Sequence, residues 1–284
     1  MKRSHGGSRR FGSPRCSRSR YHRGASGSAN VVDAEIVPAV GAAAPAARSP
    51  PPAVGAAAPD AAEIVPAVGA AAPADAAAAA AAAPWTGRRF VYTSVRGKEV
   101  WVDTTVTSDV NVVRQFVLEL RGELTTNSVV GFDTEWFDLN GNQPHERKVY
   151  RTAVIQVCFR CWCLVFQVHR AGGVVPDKLK QFLECHDYIL AGSLIGNDAT
   201  RMREDFGINL VRKVDLQDLH VNKTRKGMGL KRLAEMVGMD LPKEKELSRS
   251  EWNAPILSSK QINYASLDAF ASYEVARFLG VGKP

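Results

Sequence analysis

Two carboxylates stand two positions apart at the end of an apolar run in the sequence. The run Val129–Phe132 leads directly into Asp133, Thr134 and Glu135. Side chains alternate along a β-strand, so a strand here would place Asp133 and Glu135 on one face. Adjacent like charges are costly without a cation or a basic partner, and oxygen-only ligands suit Mg²⁺ or Mn²⁺ better than zinc. The pair therefore indicates a divalent-cation site, with a solvated strand end as the alternative.

The last predicted helix carries a phenol and a carboxylate one turn apart. Tyr264 and Asp268 are spaced i, i+4 within the segment Ser259–Leu279, whose apolar residues recur at helical spacing. Ser258 and Gln261 are predicted to form its capping box. Taken alone, the pair could be a rim tyrosine beside a surface acid. Because this helix comes last and can pack across the strand that bears Asp133, we expect both groups to face the first carboxylate pair.

A third acidic segment lies between these two. An apolar run ending in Gly192 is followed by Gly196, Asn197 and Asp198. Asn197 is predicted to cap a helix that begins at Asp198. A carboxylate at a helix N-terminus is favoured by the helix dipole alone. Asp198 is therefore either a dipole-complementing residue or a fourth carboxylate of the same site.

In chain order, these motifs resemble those of a known enzyme family. Phe-Asp-Thr-Glu-Trp, Gly-Asn-Asp and Tyr-Ala-x-x-Asp-Ala are similar to the motifs of the DEDDy branch of the 3′–5′ exonucleases, which have a ribonuclease H-like fold. Three further segments resemble the Werner-type exonuclease domains, especially their small stand-alone plant members: Ala153–Phe159, Leu230–Val237 and Ser248–Asn253. The resemblance extends from about Phe90 to Leu279 and includes Phe270, where the family often has tyrosine.

The resemblance implies a metal-dependent exonuclease that removes nucleoside 5′-monophosphates from the 3′ end of a nucleic acid, with DNA favoured. It carries the family's catalytic residues over to Asp133, Glu135, Asp198, Tyr264 and Asp268. The four carboxylates would hold two divalent cations, Mg²⁺ or Mn²⁺, with Asp133 shared between them. Tyr264 would orient the attacking water.

Aromatic and basic side chains near the first motif are candidate contacts for the nucleic acid. Trp136 and Phe137 follow the carboxylate pair and are predicted to stack on the terminal base, although they could equally belong to the core. Arg147 and Lys148, followed by Arg151, are predicted to contact phosphates, and a second basic cluster within 223–232 is the alternative.

Two other functions remain open from the sequence. The first is an RNA 3′-end processing exonuclease similar to ribonuclease D, because nothing in the motifs discriminates the sugar. The second is an inactive module that only binds 3′ ends, although all five catalytic positions carry the family's residues. The residues outside the exonuclease segment are too few and too low in complexity for a helicase, so any helicase is expected to be a separate partner.

The first 84 of the 284 residues differ in composition from the rest. Residues 1–30 hold eight basic side chains and no acid, whereas residues 31–84 contain 26 alanines and nine prolines without an aromatic residue. An octapeptide beginning at Pro38 recurs at Pro52 and Pro66. Such a segment can bury little apolar surface. We predict a disordered, low-complexity tail over residues 1–84 and an exonuclease domain over residues 85–284.

The basic segment at residues 1–30 and the apolar composition indicate where in the cell the protein is expected. An Arg- and Ser-rich head without acids suits a nuclear signal, and a plastid or mitochondrial transit peptide is the alternative. No run of residues approaches the length of a membrane-spanning helix, so no membrane association is expected. Five cysteines are too few for a disulfide scaffold in a chain of this length.

The apolar patterns of residues 85–284 predict an α/β fold. Period-two segments indicate hairpins at 90–102 and 153–168, and shorter apolar runs indicate strands at 128–132, 188–191 and 211–215. Helical spacing indicates a helix capped by Thr107 or Ser108 and ended by Gly122, and others at 176–184, 197–206, 230–237 and 259–279. Hairpins followed by alternating strands and helices indicate a mixed sheet flanked by helices.

Overall fold

The computed structural model describes residues 85–141, 147–219, 228–242 and 246–283. Within these ranges a single seven-stranded mixed sheet is flanked by helices, so the predicted α/β class is confirmed. The predicted tail, residues 1–84, lies outside the described residues. Among the described helices, none combines the length and the apolar character that crossing a membrane requires.

Strands and helices alternate along the second half of the described chain, after an initial hairpin. The strands are β1 (Thr86–Val95), β2 (Lys98–Thr107), β3 (Val129–Asp138), β4 (Tyr150–Phe159), β5 (Trp162–Phe166), β6 (Ile189–Gly192) and β7 (Lys213–Asp215). The helices are α1 (Val110–Glu123), α2 (Asp177–Leu183), α3 (Ile195–Phe206), α4 (Leu230–Met236) and α5 (Ser259–Phe278), with a 3₁₀ turn at Leu247–Arg249.

The sheet has the strand order β1-β2-β5-β4-β3-β6-β7. The predicted hairpins β1–β2 and β4–β5 are both antiparallel and both confirmed. In contrast, β3, β6 and β7 run parallel, so their carboxyl ends meet at one edge of the sheet. The turn from β6 into α3 therefore lies beside the part of β3 that carries Asp133 and Glu135. Ligand sites commonly form at this edge of an α/β sheet.

Helix α5 lies across the middle of the sheet and is buried along most of its length. It packs against β3 at Gly131, where an added Cβ would lie 2.0 Å from the carbonyl oxygen of Ala269. This close approach brings Asp268, the preceding residue of α5, next to the acidic part of β3. The predicted capping box of Ser258 and Gln261 is present and begins the helix at Ser259.

Three predicted boundaries are wrong, each because of a contact distant in the sequence. The strand expected to end at Phe132 continues to Asp138, since β4 pairs with its second half. The first helix is capped by Asp109, because β2 extends through Thr107. The helix ends at Glu123, one residue beyond the predicted end. The helix expected to begin at Asp198 begins at Ile195, and the residue before it, Leu194, has a positive φ of 59°. Asn197 is thus inside the helix and does not cap it.

Gly131→Ala should destabilise the protein, because the new methyl group would overlap the backbone of α5. Overpacking of this kind costs about 3 kcal/mol of unfolding free energy. Urea denaturation of the variant and the wild type measures the difference. The matched control is Gly122→Ala on α1, where an added Cβ meets no atom within 4 Å and should be neutral or stabilise by up to about 1 kcal/mol. Equal stability of both variants would contradict the close packing of α5 on β3.

Candidate active site

Three carboxylates from β3 and α5 converge at one point of the sheet. One oxygen each from Asp133, Glu135 and Asp268 lies within 4.8 Å of the other two. Strand alternation places the first two side chains on the same face of β3, and the packing of α5 adds the third. Three carboxylate oxygens at this spacing are a donor set suited to a hard divalent cation.

The electrostatics of this cluster favour a bound cation. Glu135 is 7% exposed. Its burial raises the pKa of the carboxyl well above the usual range, and the negative charges of Asp133, Asp268 and Asp198 raise it further. Each effect opposes ionisation, so the ionised cluster needs a compensating positive charge. The residues therefore fit the divalent metal that the sequence motifs imply.

Asp198 lines the same cleft but lies outside the cluster of three oxygens. It is 4% exposed, and its burial raises the pKa to about 6, while a hydrogen bond from Thr134 opposes this shift. The Thr134 hydroxyl donates to Asp198 Oδ1 at 2.5 Å and accepts from Trp136 Nε1 at 2.7 Å. This chain of hydrogen bonds orients the Asp198 carboxylate from the opposite face of β3.

Tyr264 stands beside the cluster, on the same helix as Asp268 and one turn before it. Burial raises the pKa of the phenol, and the negative charges of Asp268, Glu135 and Asp133 raise it further. The phenol therefore keeps its proton at neutral pH. Its ring packs against the buried Trp252, with the ring centroids 6.0 Å apart.

These side chains line one open cleft of about 1110 Å³. The predicted site residues that line it are Asp133, Glu135, Trp136, Phe137, Lys148, Asp198, Tyr264 and Asp268. Arg147 is exposed and does not line the cleft, although its backbone carbonyl accepts a hydrogen bond from the side chain of Asn140 at 2.9 Å. In the alternative basic cluster, Lys223, Arg225 and Lys226 lie outside the described residues, whereas Lys231 and Arg232 lie on α4.

The predicted substrate contacts differ in their exposure. Phe137 is 8% exposed and packs against His169 with a centroid distance of 4.5 Å, so most of its ring belongs to the core. Trp136 is half-buried, and the Arg201 guanidinium lies 5.5 Å from its ring centroid. Lys148 is exposed, with Nζ 3.9 Å from a carboxylate oxygen of Asp138. Trp136 and Lys148 are therefore better placed than Phe137 to reach a substrate.

Two cleft residues escape prediction from the sequence. Thr134 points away from the carboxylate pair yet holds Asp198. Its hydroxyl between the apolar side chains of Phe132 and Trp136 on one face of the strand was the available signal. Leu194 lines the cleft and is 52% exposed. No local pattern marks it, because its conformation depends on a contact with Asp215 on β7.

The raised pKa of Asp198 predicts a pH-dependent stability in metal-free buffer. The folded protein titrates this group at about 6 and the unfolded chain near 3.8, so the folded state alone holds the proton between these values. The contribution of this proton to the unfolding free energy is fully present below pH 3.8 and is lost as the pH rises through 6. Asp198→Asn should remove up to about 3 kcal/mol of the decline in unfolding free energy between pH 4 and 7.

Urea denaturation in EDTA across this pH range measures the effect. Glu135 contributes with the same sign in both proteins, and because the charge of Asp198 raises the pKa of Glu135, the difference between the two curves reports Asp198 together with its effect on Glu135. The control is Asp240→Asn, which changes an exposed aspartate outside the cleft and should leave the curve of the wild type unchanged. Parallel curves for Asp198→Asn and the wild type would contradict the raised pKa.

Comparison with protein families and with known proteins identifies relatives. A 3′–5′ exonuclease family model matches residues 113–281, more than half of the chain. A 3′–5′ exonuclease of Arabidopsis thaliana is 28% identical over 170 residues, covering 57% of this chain and 56% of that protein. The bifunctional 3′–5′ exonuclease/ATP-dependent helicase WRN of Mus musculus is 33% identical over 166 residues, covering 57% of this chain and 12% of that protein. The matches thus cover less than two thirds of either relative's length.

A solved structure supports the fold. Escherichia coli RNase D, an exoribonuclease involved in structured RNA processing, superposes with a TM-score of 0.51 at 19% identity, covering 62% of this chain and 44% of that chain. This likeness confirms the expected ribonuclease H-like architecture. With the fold, the carboxylate cluster and the family match in agreement, the chain belongs to the 3′–5′ exonuclease family.

Proposed function

We propose that this protein is a metal-dependent exonuclease that shortens DNA from its 3′ end and releases nucleoside 5′-monophosphates. The observation that carries the proposal is the convergence of Asp133, Glu135 and Asp268 within 4.8 Å in an open cleft. Tyr264 lines the same cleft beside this cluster. This arrangement suits hydrolysis of a phosphodiester, where charge must be neutralised and water must be positioned.

The carboxylates are proposed to hold two divalent cations, Mg²⁺ or Mn²⁺. Asp133, Glu135 and Asp268 would provide one site, and Asp198 together with Asp133 would provide the other. Divalent cations supply Lewis acidity toward the phosphate and make water a stronger nucleophile at neutral pH. Thr134 restrains Asp198 by its hydrogen bond and so fixes the direction in which this carboxylate offers its second oxygen.

Tyr264 is proposed to orient the attacking water as a hydrogen-bonding group. Because burial raises the pKa of the phenol, Tyr264 keeps its proton and does not act as a general base at neutral pH. Its contribution to the reaction is therefore one of position, and the packing of its ring against Trp252 restrains that position.

The walls of the cleft are proposed to bind the 3′-terminal nucleotides. Trp136 is proposed to stack on a base, because aromatic rings stack on any base without sequence preference, whereas most of the Phe137 ring belongs to the core. Lys148, at the cleft, and Arg147, beside it, are proposed to contact phosphates. Salt should therefore weaken substrate binding.

DNA is proposed as the substrate because the motifs most resemble those of the Werner-type exonucleases. RNA is the alternative, and the fold shared with an exoribonuclease is compatible with it.

We further propose a nuclear location for the protein, because residues 1–30 are basic, with a plastid or a mitochondrion as the alternatives. A helicase acting with it would be a separate partner. A fluorescent fusion of residues 1–84 tests the location.

Asp133→Ala should abolish 3′ shortening, because it removes the carboxylate proposed to contact both cations. A loss of at least about a thousandfold in kcat/KM is expected. The assay is a time course on a 5′-labelled recessed DNA duplex and its RNA counterpart, with Mg²⁺, Mn²⁺ or EDTA. Relief of repulsion within the cluster should leave the unfolding temperature in EDTA equal to or above that of the wild type.

The matched control for Asp133→Ala is Asp240→Ala, at an exposed aspartate away from the cleft, which should retain full activity. Near wild-type turnover by Asp133→Ala would refute the proposed site. Faster shortening of RNA than of DNA would move the substrate to RNA. Tight binding of both oligonucleotides without shortening would instead indicate an end-binding module.

Tyr264→Phe should lower kcat by about a hundredfold while KM changes little, because only the hydroxyl that orients water is lost. A protonated phenol that acts by position also predicts no new ionisation in the pH profile of kcat between pH 6 and 9. Steady-state kinetics on the preferred substrate measure both effects. Tyr92→Phe, at an exposed tyrosine of β1, is the control. Unchanged kcat in Tyr264→Phe would remove this residue from the mechanism.

A further inference from the structure

Leu194 has a backbone conformation that leucine rarely adopts. Its φ of 59° and ψ of 30° lie in the left-handed region, immediately before helix α3. Side chains with a Cβ are disfavoured there, and such strain persists only where neighbouring groups enforce it. Strained residues of this kind concentrate at sites that contact ligands.

Strand β7 and the residues after it enforce this conformation. The backbone N–H of Leu194 donates to Asp215 Oδ1 at 3.1 Å, and the same oxygen accepts from the backbone N–H of Gln217 at 3.0 Å. The side chain of Gln217 donates in turn to the hydroxyl of Ser193 at 3.3 Å. These hydrogen bonds therefore hold the turn from β6 into α3 at both Ser193 and Leu194.

The side chain of Leu194 is exposed to the cleft. It is 52% exposed, and among the large exposed hydrophobic residues of the described part of the chain it alone lines this cleft. Asn197 and Asp198, on the next turn of α3, line the same wall. Removing an exposed apolar side chain from water is favourable, so a ligand that covers Leu194 binds more tightly.

We propose that Leu194 is a substrate-contacting residue that packs against the sugar or base of a nucleotide at the 3′ end. This inference deepens the proposed function and rests on it. The contact positions the nucleotide relative to the carboxylates and takes no part in the chemical step. Asp215 acts through Leu194 as a positioning residue.

Two substitutions separate the side chain from the backbone strain. Leu194→Ala removes the contact and keeps the disfavoured φ, so it should raise KM and the oligonucleotide Kd about tenfold without changing the unfolding temperature. Leu194→Gly removes the contact and relieves the strain, so it should weaken binding equally but raise the unfolding temperature by about 2 °C or more. In both variants kcat should stay within about threefold of the wild type.

The measurements use the full chain, with 5′-fluorescein-labelled DNA and RNA oligonucleotides. Fluorescence anisotropy in EDTA gives Kd, cleavage in Mg²⁺ gives kcat and KM, and thermal unfolding gives stability. Leu118→Ala, at an exposed leucine of α1 outside the cleft, is the control and should match the wild type in all three. Asp215→Ala should weaken binding as Leu194→Ala does, and the double variant should show no further loss. Asp215→Asn, which keeps the acceptor oxygen, should restore binding.

The outcomes distinguish the two proposals. If the wild type shortens either oligonucleotide but Leu194→Ala and Leu194→Gly bind and cleave as the wild type does, the role of Leu194 is overturned and the proposed function stands. If the wild type neither binds nor shortens either oligonucleotide, both proposals are overturned. Equal unfolding temperatures for Leu194→Ala and Leu194→Gly would contradict the strain at Leu194.

Discussion

The burial of several carboxylates at one point is the constraint on which the rest of the site depends. Glu135 lies among three other acids, and its burial and their charges all oppose its ionisation. The fold can hold such a cluster only because α5 is anchored on β3 at Gly131, where the two backbones are too close for a side chain. The same charge that weakens the metal-free protein provides the attraction for divalent cations.

The sheet topology explains why two sides of the cleft have different roles. Helix α5 and one face of β3 supply the three clustered carboxylates and Tyr264. The parallel strands β6 and β7 lead to the other wall, where Asp198 extends the acidic site and Leu194 offers an apolar surface. Thr134 connects the two through β3, since its hydroxyl lies on the face opposite to the clustered carboxylates. The acidic side chains and the apolar side chain of Leu194 thus lie together in one cleft at this edge of the sheet.

Local rules account for what could be predicted from the sequence. Alternation along a strand placed Asp133 and Glu135 together, and the capping box and the i, i+4 spacing located Tyr264 and Asp268 on one helix. Long-range contacts account for what could not. The extension of β3 depends on pairing with β4, and the early start of α3 depends on Asp215, 21 residues beyond Leu194. No local pattern encodes such contacts, so Asn197 was wrongly predicted as the helix cap.

Calorimetric titration of the metal-free protein with Mn²⁺ tests most directly whether the buried carboxylates form a cation site. Performed at pH 6 in two buffers with different ionisation enthalpies, it measures both cation binding and the protons released. Saturable binding with proton release is predicted, because cations must displace protons from carboxyls whose pKa values are raised by burial. Absence of binding, or binding that Asp133→Ala leaves unchanged, would contradict a cation site at these carboxylates.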